Sequence, residues 1–212
     1  MHGEIGHIFP DQGAAIQSSI LSFNNMHVYG ELFANILRAR HQSFIIQNKW
    51  DLPQAMGMEY DQYDTPASRW LAVHEGAHVY GGLRLTPTTA RCGLYSYMIR
   101  DAQRGLLDSL PSDLLDAEAP VDPQIWEVSR GFVGRRVPAA IRRKVHMKLV
   151  LEMSHAAREL GISEFIALLP TNWNRWGARC NLHIRGIGRV MLLDGINYQA
   201  VSMKFARRVA RA

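Results

Sequence analysis

The 212-residue chain is poor in cysteine, carrying only Cys92 and Cys180. Two thiols cannot build the disulfide framework of a small secreted scaffold, so a reducing compartment, the cytoplasm, is the expected location. No apolar run approaches the ~20 residues that a membrane helix needs, and no membrane partner is expected. The opening MHGEIGHIFPDQG lacks the basic start and apolar block of a secretory signal. Internal repeats and low-complexity linkers are missing too, which excludes collagen-like and coiled-coil architectures. Hydrophobic residues make up 47% and charged residues 20%, a balance that supports a packed core and argues against wholesale disorder. The length suits a single domain over residues 1–212, with 1–15 as a loose leader.

Acidic charge is in short supply: the formal net charge is +5. That invites an anionic partner such as a phosphate-bearing molecule, an acidic protein or a nucleic acid. The charge is also segregated. Residues 108–122 carry Asp108, Asp113, Asp116, Glu118 and Asp122 without a basic residue, whereas 135–148 carry Arg135, Arg136, Arg142, Arg143, Lys144 and Lys148 without an acid. A nucleic-acid module is the weaker reading, since no Gly-aromatic RNA-binding motif and no clear helix-turn-helix accompanies the basic residues.

Periodicity gives the order of elements. Residues 16–23 read as a first strand, and Leu32, Phe33, Ile36, Leu37 and Phe44 recur at helical spacing over 29–44. A polar, turn-rich loop spans 51–68. Residues 69–74 and 78–86 read as a hairpin joined at Glu75-Gly76. A helix is expected over 94–108, a loop to 123, and a buried strand from Ile125 to Val133. Pro138 opens a long helix through Leu160 that Gly161 closes. A strand at 165–169, a helix at 172–179 and a last strand at 198–205 complete the chain. The pattern predicts an α/β (α+β) three-layer sandwich, a mixed central sheet flanked by helices, with a parallel crossover over 125–169.

Residues 74–78, HEGAH, match the H-E-x-x-H zinc signature, which requires both histidines on one helical face. Gly76, Gly81 and Gly82 and the alternating flanks predict a hairpin there instead. No metal is assigned.

The chemistry-bearing residues are scattered along the chain. Arg40 and Phe44 share a helix face, and Trp50 follows. The loop presents Glu59, Asp61 and Asp64. Arg84, Pro87 and Thr88 close the hairpin, and Glu127, Ser129 and Arg130 lie on the central strand. On a regular strand Glu127 and Ser129 face one side and Arg130 the other.

This ordered set resembles the acyl-homoserine-lactone synthases, the LuxI-type autoinducer synthases. Their pattern is an Arg and a Phe on the first helix, a Trp, an E-x-D-x-x-D loop, an R-x-x-P-T strand end and an E-x-S-R strand. The match spans roughly residues 20–170. The resemblance implies an acetyltransferase-like (GNAT-like) fold. It also implies N-acylation of S-adenosylmethionine by an acyl thioester, on acyl carrier protein or CoA, then lactonisation with release of 5′-methylthioadenosine. A related N-acyltransferase using another amine is the alternative. S-adenosylmethionine is then a substrate, and no cofactor is implied. The resemblance assigns Arg40, Phe44, Trp50, Asp61, Asp64 and Arg130 to this substrate. Catalysis falls to Glu127 with Asp61, Asp64 and Arg130, Glu127 accepting the α-amino proton. Glu59 and Arg84 supply electrostatic support, and Phe132, Val133, Arg135, Arg136 and Ala167 face the acyl donor. Gly131 stands where the family has an aromatic, and Ala167 where makers of 3-oxo signals carry Thr. An unsubstituted acyl chain is therefore expected.

Overall fold

The structure, a computed structural model, describes residues 15–172, 180 and 182–205. Strand β1 (Gln17–Leu21) leads to helix α1 (Leu32–Arg40). The short strands β2 (Gln54–Ala55) and β3 (Met58–Glu59) pair as a small ribbon. Then come β4 (Arg69–Glu75), β5 (His78–Pro87), α2 (Met98–Gln103), β6 (Ile125–Val133), α3 (Ala139–Leu160), β7 (Glu164–Pro170), β8 (Leu182–Leu193) and β9 (Ile196–Phe205). Seven strands form one sheet in the order β1-β4-β5-β6-β7-β9-β8. Among the described residues only β6 and β7 run parallel, joined by α3, and every other neighbouring pair is antiparallel. This is the expected mixed sheet and parallel crossover.

Helix α3 covers one face, where Val145, Leu149 and Met153 pack on Leu71, Trp126 and Phe165. On the other face α2 and the acidic loop bury Tyr97, Ile99 and Leu114 against Ile166 and Met191, and α1 buries Ile36 against Trp70 and Ala72. Each layer thus removes its apolar stripe from water, the dominant favourable term. Helix α3 starts just after Pro138 and ends at Gly161 (φ 68°), whose left-handed conformation carries no Cβ penalty.

Three points of the expected order need correcting. The helix over 94–108 is only Met98–Gln103, because the chain turns at Gly105 (φ 72°) and the Leu106 N–H donates to the Asp101 carbonyl. The helix over 29–44 is regular only from Leu32 to Arg40, and a π-helical stretch, His41–Gln47, follows. Strand β8 breaks the alternation that would reveal it: Gly186 and Gly188 interrupt its pattern, and its register shifts between Gly186 and Val190. A Cβ at Gly188 would collide with the Leu114 carbonyl oxygen, so glycine there lets the acidic loop dock on the strand. The helix expected over 172–179 falls on residues 173–179, outside the described residues, as does the leader over 1–14.

Strands β6 and β7 stay paired only from Ile125–Val128 against Glu164–Ala167. Beyond that, β6 follows β5 while β7 follows β9, so the sheet splays. Gly81 and Gly82 on β5 allow the close packing beside this splay. A Cβ at Gly82 would sit 2.8 Å from the Leu71 carbonyl oxygen and 3.3 Å from the Phe132 ring. Gly82→Ala is therefore expected to destabilise the fold by about 1–3 kcal/mol, as overpacking does. A lower thermal midpoint checks this, and an unchanged one contradicts it.

Candidate active site

The polar centre is assembled where α1, the 59–64 loop, β5 and β6 meet. Arg40, at the end of α1, is almost wholly buried. It donates from Nε to Glu59 Oε2 (2.5 Å) and from both terminal nitrogens to Asp64 (2.7 and 3.0 Å). Arg84 on β5 grips Asp61 (2.5 and 3.2 Å), reaches Asp64 (3.1 Å) and donates from Nε to Ser129 Oγ (3.2 Å). Arg130 donates to Glu59 Oε1 (3.0 Å) and pairs with Asp61 Oδ2 (2.8 Å). Asp64 also accepts from Trp70 Nε1 (2.9 Å) and from the Asp61 N–H (2.9 Å). Three arginines and three carboxylates thus neutralise one another, as buried charges must.

The opposite-face expectation for Arg130 is corrected here. Its φ is +52°, and the β5–β6 register shifts between Gly82 and Arg84. This bulge carries the Arg130 guanidinium to Glu59 and Asp61, the same cluster that Ser129 joins through Arg84. Bulges commonly re-aim side chains beside active sites. Strain of this kind was invisible in the residue spacing.

Burial alone would raise the Asp61 and Asp64 carboxyls. The guanidinium charges of Arg84 and Arg130 beside Asp61, and of Arg84 and Arg40 beside Asp64, outweigh it and hold both below the usual carboxylate range. A depressed carboxylate stabilises the fold fully above its unfolded pKa, ~4, and that stability is lost as pH falls through the folded value. Urea titrations should therefore show a midpoint that is level near neutrality and drops steeply below about pH 4. A midpoint flat to pH 3 would contradict this.

Glu127 is set apart from the arginine cluster. It is fully buried on β6 and accepts from the backbone N–H groups of Ile99 (2.7 Å) and Met98 (3.2 Å) at the start of α2. Burial pushes its carboxyl up to about 7, partly offset by those N–H bonds and by Arg84.

The aromatic side is built by the π-helical stretch. Asn48 N–H returns to the Ser43 carbonyl, Lys49 adopts φ 63°, and Trp50 N–H returns to the Phe44 carbonyl. Trp50 thereby stacks on Phe44, with ring centroids 5.2 Å apart and planes 3° from parallel. The two rings face each other rather than flanking an open slot. Arg130 lies 5.8 Å over the Phe44 centroid, and Phe132 meets Phe44 edge-on at 5.9 Å.

A cavity of about 290 Å³ opens at the splay. Its walls are mostly apolar: Val128, Gly131, Phe132 and Val133 from β6, Leu149, Val150 and Met153 from α3, and Leu169 and Met203 beyond. His146 also lines it, its imidazole pKa lowered by burial and by Arg142. Ala167 is not a wall. It pairs with Val128 and Val201 at the closed end of the splay, inside the core. Arg135 and Arg136 are exposed in the turn before α3, and Arg135 reaches Asn48 Oδ1 (3.4 Å). HEGAH lies on the β4–β5 hairpin. There His74 Nε2 bonds Ser19 Oγ (3.0 Å), Nδ1 bonds the Gly76 carbonyl (2.8 Å), and His78 packs against Tyr80.

A splayed parallel pair crossed by a long helix, with an apolar slot at the splay, defines an acetyltransferase-like fold. An acyl-CoA N-acyltransferase from Pseudomonas aeruginosa shares this fold with a TM-score of 0.55 at 12% identity, over 91% of this chain and 100% of that one. Residues 24–206 match the autoinducer synthase family model, and the chain belongs to that family. It is similar to the acyl-homoserine-lactone synthase of Pseudomonas aeruginosa, 28% identical over 81% of this chain and 78% of the relative. The solved structure of a CoA-dependent acyl-homoserine lactone synthase, BjaI, with SAM and isopentyl-CoA superposes with a TM-score of 0.73. Its identity is 25%, over 92% of this chain and 85% of that one. The chain is thus an acyltransferase of the acyl-homoserine-lactone synthase class.

Proposed function

We propose that the chain acylates the α-amino group of S-adenosylmethionine with a fatty acyl thioester and then closes the lactone, releasing 5′-methylthioadenosine. The supporting observation is one shared wall: Phe132 touches the Phe44–Trp50–Arg130 side and lines the apolar cavity. Amine and acyl chain would meet across that ring.

In this reading the outer face of Trp50 takes the adenine or the sulfonium, a cation–π contact worth ~0.5–2 kcal/mol. Arg130 takes the carboxylate. Its side chain retains 11% exposure, whereas Arg40 and Arg84 are sealed inside with their donors engaged. Arg40 and Arg84 then position Asp64 and Asp61, and Asp61 takes the ammonium. A free α-amino group has a pKa of about 7.7–8.0, so it must lose a proton before attack. Glu127, with a carboxyl near 7, suits that transfer. The Arg130 and Gly131 positions fall between the paired residues Ser129 and Phe132, so their N–H groups suit the oxyanion. Arg135, Arg136 and the start of α3 favour the donor's phosphates, on CoA or on the acidic surface of a carrier protein. No cofactor is called for, since both nucleophile and electrophile arrive with the substrates. Both are metabolites of the cytoplasm, where the reaction is placed.

The test is to offer S-adenosylmethionine with acyl-CoA and, separately, acyl carrier protein thioesters across chain lengths. Methylthioadenosine and an acyl-homoserine lactone of matching mass are expected, with unsubstituted chains preferred. Thiol release without methylthioadenosine would indicate an N-acyltransferase that does not lactonise. No turnover with any donor would overturn the reading.

A further inference from the structure

The slot at the splay has one closed end, and the register fixes its levels. Strands β6 and β7 stay paired up to Val128 and Ala167, so the slot cannot run on between them below that rung. Ala167 is sealed in the core behind it. Helix α3 joins two parallel strands and therefore returns antiparallel to β6. It ends at Gly161, close to Glu164, which pairs with Ile125. Counting back from that end, at ~1.5 Å per helical residue and ~3.3 Å per strand residue, puts Met153 about level with Val128 and His146 about level with Phe132. All four line the cavity, with Leu149 between the two levels. Met203 completes the closed end. It pairs with Phe165, which pairs with Trp126, so it lies below the Val128 rung and still lines the cavity. Both methionines are only 2% exposed.

Polarity changes along the same axis. The polar side chains among the lining residues are His146, at the Phe132 level, and Asn172, just beyond the outer end of β7. The closed end offers only Val128, Met153 and Met203. An acyl thioester is polar at one end and apolar at the other, so its tail goes inward and its thioester stays at the level of Gly131 and Phe132, where the amine side touches. From Gly131 down to Val128 is three strand residues, ~10 Å. An extended chain of 1.5 Å bonds at near-tetrahedral angles advances ~1.3 Å per carbon, which gives about eight carbons. The cavity volume of about 290 Å³, at ~30 Å³ for a group the size of a water, caps the tail at about ten.

We propose that Met153 and Met203 form a floor that sets acyl-chain length, and that this floor selects straight chains of about eight carbons. The proposal rests on the chain using an acyl thioester, and it names which donor of that class fits. Each methylene that enters the slot leaves water, so affinity grows with length until the tail reaches the methionines. Met153 is packed in one cluster with Trp126 and Phe165, and close packing there leaves no room to give way. A longer tail must then bend back or lift its thioester away from Phe132.

The test measures kcat/KM with a series of straight-chain acyl-CoA thioesters and, separately, acyl carrier protein thioesters, from short to long. On whichever carrier is used, kcat/KM should rise roughly fourfold per added methylene to about eight carbons and fall at least ~10-fold past about ten. Met153→Ala should move the optimum outward by about two carbons, the space its side chain vacates. Val128→Phe, which fills the closed end from the strand, should move it inward by about as much. The readout is the ratio of long-chain to short-chain kcat/KM within one protein, which a variant that is merely less stable leaves unchanged. Should Met153→Ala fold poorly, the parental profile and Val128→Phe decide. A parent with no optimum, or with one at about twelve carbons or more, overturns the floor alone. So does a folded Met153→Ala or Val128→Phe that keeps the parental optimum. Absence of turnover at every length on both carriers overturns the synthase reading, and the floor falls with it.

Discussion

Glu127→Gln is expected to lower the acylation rate by about 10²–10⁴-fold, the contribution of a positioned general base, and to leave a folded protein. Glutamine keeps the shape and one acceptor for the Ile99 or Met98 N–H, so the start of α2 is not stripped of its partner. The variant should also differ from the parent in its pH dependence. In the parent the folded carboxyl titrates at about 7, above its ordinary value of 4.5. A raised acid favours the fold most below its unfolded pKa, and that contribution is lost as pH rises through the folded value. The Gln variant carries no such charge, so its stability relative to the parent should improve from pH 5 to 8. In the parent the rate should decline below about pH 7, where Glu127 is already protonated. Rate profiles and urea midpoints at the two ends of that range check both claims. A Gln variant that turns over like the parent would remove Glu127 from the chemistry.

Arg84→Met is expected to be the most damaging substitution to the fold itself. Arg84 is completely buried and serves Asp61, Asp64 and Ser129 at once. Methionine fills the volume but leaves Asp61 and Asp64 short of their shared counter-charge. Breaking a buried pair from one side costs about 3–5 kcal/mol, a large fraction of the 5–15 kcal/mol that typically holds a domain together. The variant should unfold at a markedly lower temperature, or accumulate poorly in soluble form. Tyr63 would lose the guanidinium on its ring as well. If Arg84→Met melted with the parent, the arginine–carboxylate cluster would not be the element that fixes the 59–64 loop to the sheet.

Most strands and the long helix were legible because their signals are local. Ile125–Val133 carries Ile125, Trp126, Val128, Phe132 and Val133 in one short run, and α3 is bracketed by Pro138 and Gly161. The hairpin carrying HEGAH was legible for the same reason, since Gly76 and the alternating flanks outweigh a five-residue motif. Strand β8 was missed because Gly188 serves a long-range contact with Leu114 and Gly186 one with the Gln199 side chain, which no local window contains. Within the site, the identities of the charged residues were readable but their division of labour was not. Nothing in the spacing says that Arg40 is sealed between Glu59 and Asp64, that Trp50 folds back onto Phe44 through Lys49, or that Arg130 swings across a bulge. Those depend on backbone strain at single residues.

The most direct measurement is a crystal structure with S-adenosylmethionine and a non-reactive acyl thioester bound together. The amine should lie ~3–3.5 Å from the thioester carbonyl carbon, the separation of a near-attack pair. It should meet that carbon at Phe132, with Arg130 on the carboxylate and the acyl chain between β6 and α3. A nucleoside bound away from Trp50, or an acyl chain outside the splay, would contradict the shared wall and the chemistry built on it.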